Sequence, residues 1–399
     1  IDLAMRDHEY LKALRLVDQL LATGTPYAWD LKRLKSEIAL LIGDLDQARA
    51  VFEEALSQRD LPWARLGLAR ILYQDNHLEE ARRQLVQVTN GSRSYLDAHD
   101  LLARTLESLD DLEGAQAVVQ RALSVSPHVA ARQSSLGQIA ARRGDLETAQ
   151  KAYRRGIELG RHSPHASVEP YLSLARVFLA RDESGEAARV IERLVEDMKH
   201  DGNAQFLARV MAIPIRLQSE GEAAAREALT ELAPMLRHDA HRLPPEMTFD
   251  LAGPLMRLGD LETTDALFAS LLANHHENPG YASRVRELYA EAGRAEEGEA
   301  LVREATQAAL EIMDQGVRLS REGKLDEALA LLREARHKLP GNPRLLLNHA
   351  YLLIHYMEKF GRDLHLVTEV LDCINTARRL RPHDKRAGEL LAKLELVEA

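Results

Sequence analysis

The stretch "LLARTLESLDDLEGAQAVVQRALSVSP" (residues 101–127) returns in similar form as "LGQIAARRGDLETAQKAYRRGIELG" (residues 136–160). Ala115 of the first copy aligns with Ala149 of the second, 34 residues further along. Apolar residues recur at helical spacing on both sides of "DDLEG", and Pro127 stops the second run. Each copy therefore predicts two amphipathic helices joined by a short turn.

The small residue after this turn recurs through most of the chain. The aligned positions are Ala13, Ala48, Ala81, Ala115, Ala149, Ala187, Ala225, Thr264, Gly298 and Ala328. An eleventh, longer unit ends at Pro382, and "HDKRAGELLAKLELVEA" (residues 383–399) predicts a capping helix. Self-similarity at a fixed period is the signature of a repeat protein, in which each unit buries its apolar face against its neighbours.

The turn between the two helices has its own chemistry. Glycine is predicted where the first helix ends, because a left-handed backbone is common there. These glycines are Gly43, Gly144, Gly259, Gly293 and Gly323. The residues that follow three of them, Asp44, Asp145 and Asp260, are predicted to cap the second helix.

The unit resembles the tetratricopeptide repeat, a helix-turn-helix of about 34 residues, over nearly the whole chain. The resemblance implies an all-α fold: a right-handed superhelical solenoid of about ten to eleven units with a C-terminal capping helix. An irregular helical bundle is the alternative, but ten registered units favour the solenoid.

The register is uneven, which predicts three blocks. Residues 1–200 form a regular superhelix, 201–300 contain divergent units, and 301–399 contain the last units and the cap. Pro214 and Pro254 interrupt helical runs in the middle block, where proline removes a backbone hydrogen bond.

Two further segments depart from the period. Residues 236–248 predict a longer connection, and residues 295–322 contain no helix breaker. Two helices are therefore expected to fuse into one over 295–322.

Composition limits the classes of function. Of the 399 residues, 45% are hydrophobic and 29% charged, which is ample for a folded core, and aromatic residues make up only 5%. The net charge of −10 opposes nucleic-acid binding. The single cysteine, Cys373, is inconsistent with an internal disulfide framework and fits a reducing, cytoplasmic compartment. No apolar run reaches the roughly 20 residues that cross a bilayer, so direct membrane insertion is not expected.

Catalytic and metal-binding motifs are not found in the sequence. There is no glycine-rich phosphate loop and no H-E-x-x-H motif. Three histidine pairs, His162/His165, His238/His241 and His275/His276, are interpreted as polar surface residues of loops, and Cys373 as a small buried residue. We expect no enzyme, no cofactor and no metal.

A second resemblance covers about the first 200 residues. "LPWARLGLAR" (61–70), "YLDAHDLLAR" (95–104) and "SPHVAARQSSLGQIA" (126–140) together resemble the repeat region of bacterial two-component response regulators that join a receiver domain to tetratricopeptide repeats. The resemblance implies an effector that binds proteins, with a phosphorylated receiver upstream of Ile1. The alternative is an assembly factor for envelope or polysaccharide machinery, tethered near a membrane.

The first helix of each unit is expected to line a concave groove. The candidate partner-binding residues are Arg33, Glu37, Trp63, Arg70, Tyr73, Asp100, Arg104, Glu107, Gln138, Arg142 and Arg176. Arg70, Arg104, Gln138 and Arg176 occupy one repeat-equivalent position, a ladder that could hold acidic groups or backbone carbonyls of an extended peptide or helix. The alternative is internal ion pairing, in which Asp97, Asp100 and Glu107 neutralise Arg70 and Arg104. Self-association through the exposed end repeats is a further expectation.

Overall fold

The computed structural model describes residues 1, 5, 10–42, 44–92, 94–161, 163, 166–381 and 384–398. All regular secondary structure within these residues is helical. The chain divides into two compact units: unit 1 consists of residues 1–125 and 346–399, and unit 2 of residues 126–345.

Unit 1 contains seven helices from the N-terminal part of the chain and three from the C-terminal part, counted over the residues just given. They are α1 (Tyr10–Ala22), α2 (Ala28–Ile42), α3 (Leu45–Gln58), α4 (Pro62–Gln74), α5 (Leu78–Gly91), α6 (Leu96–Ser108) and α7 (Leu112–Val125), followed by most of α19 (Pro343–Phe360), α20 (Leu364–Leu380) and α21 (Arg386–Glu398).

Unit 2 is helical in the same way, with one short 3-10 turn at Ala240–Arg242. Its helices are α8 (Ala130–Arg142), α9 (Leu146–Gly160), α10 (Glu169–Ala180), α11 (Ser184–Asp197), α12 (Gly202–Ser219), α13 (Glu222–His238), α14 (Pro245–Leu258), α15 (Leu261–Asn274), α16 (Pro279–Glu291), α17 (Ala295–Arg321) and α18 (Leu325–Lys338).

The repeat register predicted from the small residues is confirmed. All ten aligned positions are buried, most of them completely: Ala13, Ala48, Ala81, Ala115, Ala149, Ala187, Ala225, Thr264, Gly298 and Ala328. A small side chain at this place lets the second helix approach the first closely, and larger apolar residues fill the space beside it. The predicted class, an all-α solenoid of helix-turn-helix repeats, is confirmed.

The predicted turn chemistry is also confirmed. Gly144, Gly259, Gly293 and Gly323 have positive φ between 74° and 78°. Asp44, Asp145 and Asp260 each accept a hydrogen bond from the backbone N–H three residues on, at 2.9 to 3.0 Å. Gly43 lies outside the described residues, as do His162, His165 and Pro382.

The predicted fused helix is present as α17, a single helix of 27 residues. The prolines of the middle block do not end helices, because Pro214 and Pro254 lie inside α12 and α14. Pro234 also lies inside a helix, α13. The predicted division into three blocks describes the regularity of the repeat sequence and stays a prediction.

In unit 1 the C-terminal segment, residues 346–399, contacts the second and third repeats. Arg378 Nη1 in α20 donates a hydrogen bond to the carbonyl oxygen of Leu41 at 3.1 Å. Lys385 Nζ lies 3.5 Å from Asp75 Oδ1. Leu41 and Asp75 lie at the C-terminal ends of α2 and α4, where the helix dipole and unpaired carbonyls favour cations.

Candidate functional site

In unit 1 the first helices of three successive repeats, α2, α4 and α6, lie side by side. Their solvent-facing side chains form what we call the unit 1 face. The sequence-predicted residues on this face are Arg33, Glu37, Trp63, Arg70, Tyr73, Asp100, Arg104 and Glu107.

Two arginines of this face are paired with carboxylates. Arg33 Nε donates to Glu37 Oε1 at 2.9 Å within α2, and this hydrogen bond raises the pKa of Arg33. Arg70 Nη2 of α4 lies 3.7 Å from Asp97 Oδ2 of α6. Arg70 and Asp97 side chains are 47% and 73% exposed, so water screens their attraction and the pair remains open to exchange with a ligand.

An aromatic contact joins the same two helices. The Arg104 guanidinium lies over the Tyr73 ring, 5.9 Å from its centre. The Tyr73 hydroxyl lies 3.5 Å from Ser108 Oγ, which itself donates to the Arg104 carbonyl. This contact places the Arg104 guanidinium against the Tyr73 ring on an exposed surface, where such contacts contribute about 0.5–1 kcal/mol.

The remaining residues of the face are less available. Trp63 is partly buried and packs edge-on against Phe52, with ring centres 6.0 Å apart, which is a core contact. Asp100 and Glu107 are half-buried on α6. The exposed charged residues of the unit 1 face are therefore Arg33 and Glu37 on α2, and a row of Arg70, Asp97 and Arg104 on α4 and α6, with the partly buried Tyr73 beside Arg104.

In unit 2 the candidate partner-binding residues have different surroundings. Gln138 and Arg142 are exposed on α8. The Arg176 side chain on α10 is only 20% exposed. Its position in the repeat is equivalent to that of Arg70, yet most of its surface is inside the protein.

Arg176 is the centre of an internal network. Its Nη1 donates to Glu169 Oε1 at 3.1 Å and to Ser173 Oγ at 3.4 Å, and its Nε donates to Asp250 Oδ2. Burial raises the pKa of Asp250 while the Arg176 charge opposes that rise. Two carboxylates thus already pair with the Arg176 guanidinium. The internal-pairing alternative concerns Arg70 and Arg104, and of these Arg70 lies beside Asp97.

A cavity of about 580 Å³ opens beside this network, between α10, α12 and α14. Its walls combine apolar and polar side chains: Arg176, Leu179, Asp182, Met211, Pro214, Leu217, Gln218, Asp250 and Arg257. These are the first helices of three successive repeats, so the cavity lies where the sequence predicts the partner-binding surface of the sixth to eighth repeats. We call it the unit 2 cavity.

Asp250 and Asp182 were missed by sequence reasoning. Asp250 meets Arg176 across 74 residues of chain and comes from a repeat two units away, so no spacing within one repeat indicates the pair. Asp182 has φ of 58°, in the turn position that glycine occupies in other repeats. That departure from glycine is the signal that could have drawn attention to it.

The described residues contain no group of three or more His, Cys, Asp or Glu that could hold a metal ion. His238 is exposed, whereas the His276 side chain is only 4% exposed, and its Nδ1 lies 3.1 Å from Asn342 Nδ2. The prediction that His276 is a surface residue is therefore wrong, because Asn342 packs over it.

Cys373 is fully buried, as the sequence predicts. Its sulfur lies 3.9 Å from His349 Nδ1, and His349 Nε2 lies 3.4 Å from Glu369 Oε1. The residue types match a nucleophile, a base and a carboxylate, but Cys373 and His349 are both 0% exposed. A substrate in solution has no access to that sulfur in this structure.

No helix among the residues that the structure covers has both the length and the apolar character to cross a membrane.

Family comparisons agree with the geometry of the repeats. Three family models, each described as tetratricopeptide repeat, match residues 39–105, residues 1–62 with 101–164, and residues 168–193. The first half of the chain therefore carries tetratricopeptide repeats. No curated protein sequence matches the chain.

Solved structures with similar helical repeats have low sequence identity to this chain. A tetratricopeptide repeat protein from Parabacteroides merdae is 14% identical, with a TM-score of 0.47 over 70% of this chain and 98% of that chain. MamA from Desulfovibrio magneticus, residues 41 to the end, is 17% identical, with a TM-score of 0.39 over 43% of this chain and 96% of that chain. A further MamA structure is 18% identical, with a TM-score of 0.38 over 41% and 94% of the respective chains.

Proposed function

We propose that this chain, whose first half carries tetratricopeptide repeats, is a cytoplasmic scaffold that binds protein partners through the first helices of its repeats. The observation that supports this most is the exposed row on the unit 1 face. Arg70, Asp97 and Arg104 present alternating charges on two adjacent helices, and the Tyr73 ring lies against the Arg104 guanidinium. Such a surface suits an extended peptide or a helix, because fork-shaped guanidinium groups bind carboxylates and carbonyls with defined geometry.

The test is a pull-down from native cytoplasm, in which captured proteins are identified and then re-bound as purified pairs. We expect Arg70→Glu with Arg104→Glu to lose a partner that the unaltered chain retains. Arg83→Glu with Arg121→Glu is the matched control, since these exposed arginines lie on the second helices α5 and α7. Equal capture by both double variants would contradict a role for the unit 1 face.

At the finer level, we propose that the scaffold is the effector part of a bacterial two-component response regulator. The support is the succession of residues 61–70, 95–104 and 126–140, which resembles that class of repeat region. Phosphorylation of a receiver would then change exposure of the first-helix faces or promote homodimers. The full gene product, treated with a phosphate analogue, should change its partner affinity or its mass in solution. A membrane-spanning segment in place of a receiver would instead favour the assembly-factor alternative.

A further inference from the structure

The unit 2 cavity has an apolar floor and a charged rim. Leu179, Met211, Pro214 and Leu217 form the apolar part. Met211, Pro214, Leu217 and Gln218 follow one another at helical spacing along α12, so one face of that helix makes most of the floor. A surface of this kind accommodates methylene or methyl groups.

The arginines of the cavity are already matched with carboxylates. Arg176 holds Asp250 and Glu169, and Arg257 Nε donates to Glu222 Oε1 at 3.0 Å. Each guanidinium therefore already has a carboxylate partner. Arg176 Nη2 is buried and makes no hydrogen bond among the described residues, and water screens the exposed Arg257–Glu222 pair.

Asp182 differs from these carboxylates. Its carboxylate accepts a hydrogen bond from Gln218 Nε2 at 2.7 Å, and Gln218 is uncharged. Among the described residues, no cation lies within ion-pair distance of Asp182. Asp182 and Asp250 line the cavity, and Glu169 and Glu222 pair with its two arginines from outside the lining. Of these four carboxylates, Asp182 is the one that has no cationic partner among the described residues.

We propose that the unit 2 cavity binds a lysine or arginine side chain of a partner peptide. The aliphatic stem lies against Met211, Pro214 and Leu217, and the cationic head reaches the Asp182 carboxylate. Long basic side chains combine an apolar stem with a charged end, which is the complement of this cavity. The inference rests on the proposed scaffold function and names the class of partner side chain for unit 2.

The opposite ligand, an acidic side chain, is disfavoured by the same charges. The ladder position at Arg176 would suggest acidic recognition from sequence. In the structure Glu169 and Asp250 pair with Arg176, so an acidic ligand would meet two carboxylates beside that arginine. This charge arrangement favours a basic ligand over an acidic one.

The experiment is an NMR titration of the whole chain carrying 13C-methyl-labelled methionine. The methyl resonance of Met211 is the local probe, and it is assigned by its loss in Met211→Leu. Three blocked tripeptides are titrated: acetyl-Ala-Lys-Ala-amide, the same peptide with norleucine, and the same peptide with glutamate. Norleucine keeps the aliphatic stem and removes the charge. We expect a saturable Met211 shift with the lysine peptide, affinity lower by about three- to fivefold with norleucine, and no saturable shift with glutamate.

Two variants locate the interaction. Asp182→Asn keeps the acceptor for Gln218 and tolerates the left-handed backbone, so it should weaken only the lysine peptide, to the level of norleucine. Leu217→Trp should fill the cavity and abolish binding, whereas Arg216→Trp, at an exposed neighbouring position on α12, should not. Equal affinity for lysine and norleucine, an unchanged lysine affinity in Asp182→Asn, or no saturable shift at all would overturn the proposal.

Failure here is distinguishable from failure of the scaffold function. If the pull-down partner depends on Arg70 and Arg104 while the lysine peptide does not bind, the scaffold stands and the cavity proposal fails. If the lysine peptide binds and the Arg70/Arg104 variant keeps all partners, the cavity proposal stands and the role of the unit 1 face fails.

Discussion

At the scale of single residues, the turn inside each repeat depends on one position with a left-handed backbone. Gly144 has φ of 77°, and the equivalent turns of other repeats use Asn76, Asp110 and Asp182 at φ of 58° to 61°. Asparagine and aspartate tolerate this region better than other side chains. An aspartate can therefore occupy a turn position that needs a left-handed backbone. At position 182 its carboxylate also lines the unit 2 cavity.

The cap at the start of α9 gives a pH-dependent prediction. Asp145→Ala should lower the free energy of unfolding by about 1 kcal/mol at neutral pH, whereas Asp145→Asn keeps the cap and should change it little. The side chain and backbone of Thr148 donate hydrogen bonds that lower the pKa of Asp145.

The sign follows from that lowered pKa. The charge-dependent part of this stabilisation is complete above the unfolded-state pKa of about 3.9 and is lost as the pH falls through the lower, folded-state pKa. Urea unfolding of the three proteins from pH 7 downwards should show the difference between aspartate and alanine shrinking below about pH 4. A difference that stays constant to low pH would show that Asp145 does not act as a charged cap.

At the scale of helices, pairing depends on small residues at the contact. Gly137 on α8 lies beneath the ring of Tyr153 on α9, and a β-carbon added there would come within 2.7 Å of that ring. The second helix can approach this closely only because position 137 has no side chain.

Gly137→Ala should therefore destabilise unit 2 by about 1–3 kcal/mol, since the Tyr153 ring must move out of a packed position. Gly160→Ala on α9 is the control, because a β-carbon there meets Ala130 at an ordinary 3.5 Å. Thermal unfolding of both variants checks the prediction. Equal melting temperatures would mean that the α8–α9 contact relaxes without cost.

At the scale of the whole molecule, residues from both ends of the chain share unit 1. The hydrogen bond from Arg378 to the Leu41 carbonyl joins positions 337 residues apart. Burial lowers the pKa of Arg378, and the carbonyls at the end of α2 compensate for part of its desolvation.

This link can be tested with two adjacent arginines. Arg378→Ala should speed amide hydrogen exchange over residues 28–42 about fivefold, corresponding to roughly 1 kcal/mol for a charge-assisted hydrogen bond. Arg379→Ala should leave it unchanged, because the hydrogen bond that Arg379 makes with the described residues is to Thr376 on its own helix. Faster exchange in both variants, or in neither, would contradict a specific role for the Arg378 contact.

Much of the fold could be predicted from local sequence. The buried small residues, the left-handed turns, the aspartate caps and the fused helix α17 each depend on neighbours within one repeat. The candidate site was predicted less completely. Arg70, Tyr73 and Arg104 are on an exposed face as expected, but Arg176, in the equivalent position, is internally paired.

The fold was predicted more completely than the candidate site because the two depend on contacts between residues at different separations along the chain. Helix periodicity, caps and turns are contacts over three or four residues, so the chain's own order of amino acids specifies them. The pairing of Arg176 with Asp250, the buried state of His276 and the contact of Arg378 with Leu41 join residues 66 to 337 apart. Such contacts exist only after the repeats have stacked, because stacking decides which carboxylate or carbonyl meets each cation and which carboxylate, here Asp182, is left to face a cavity.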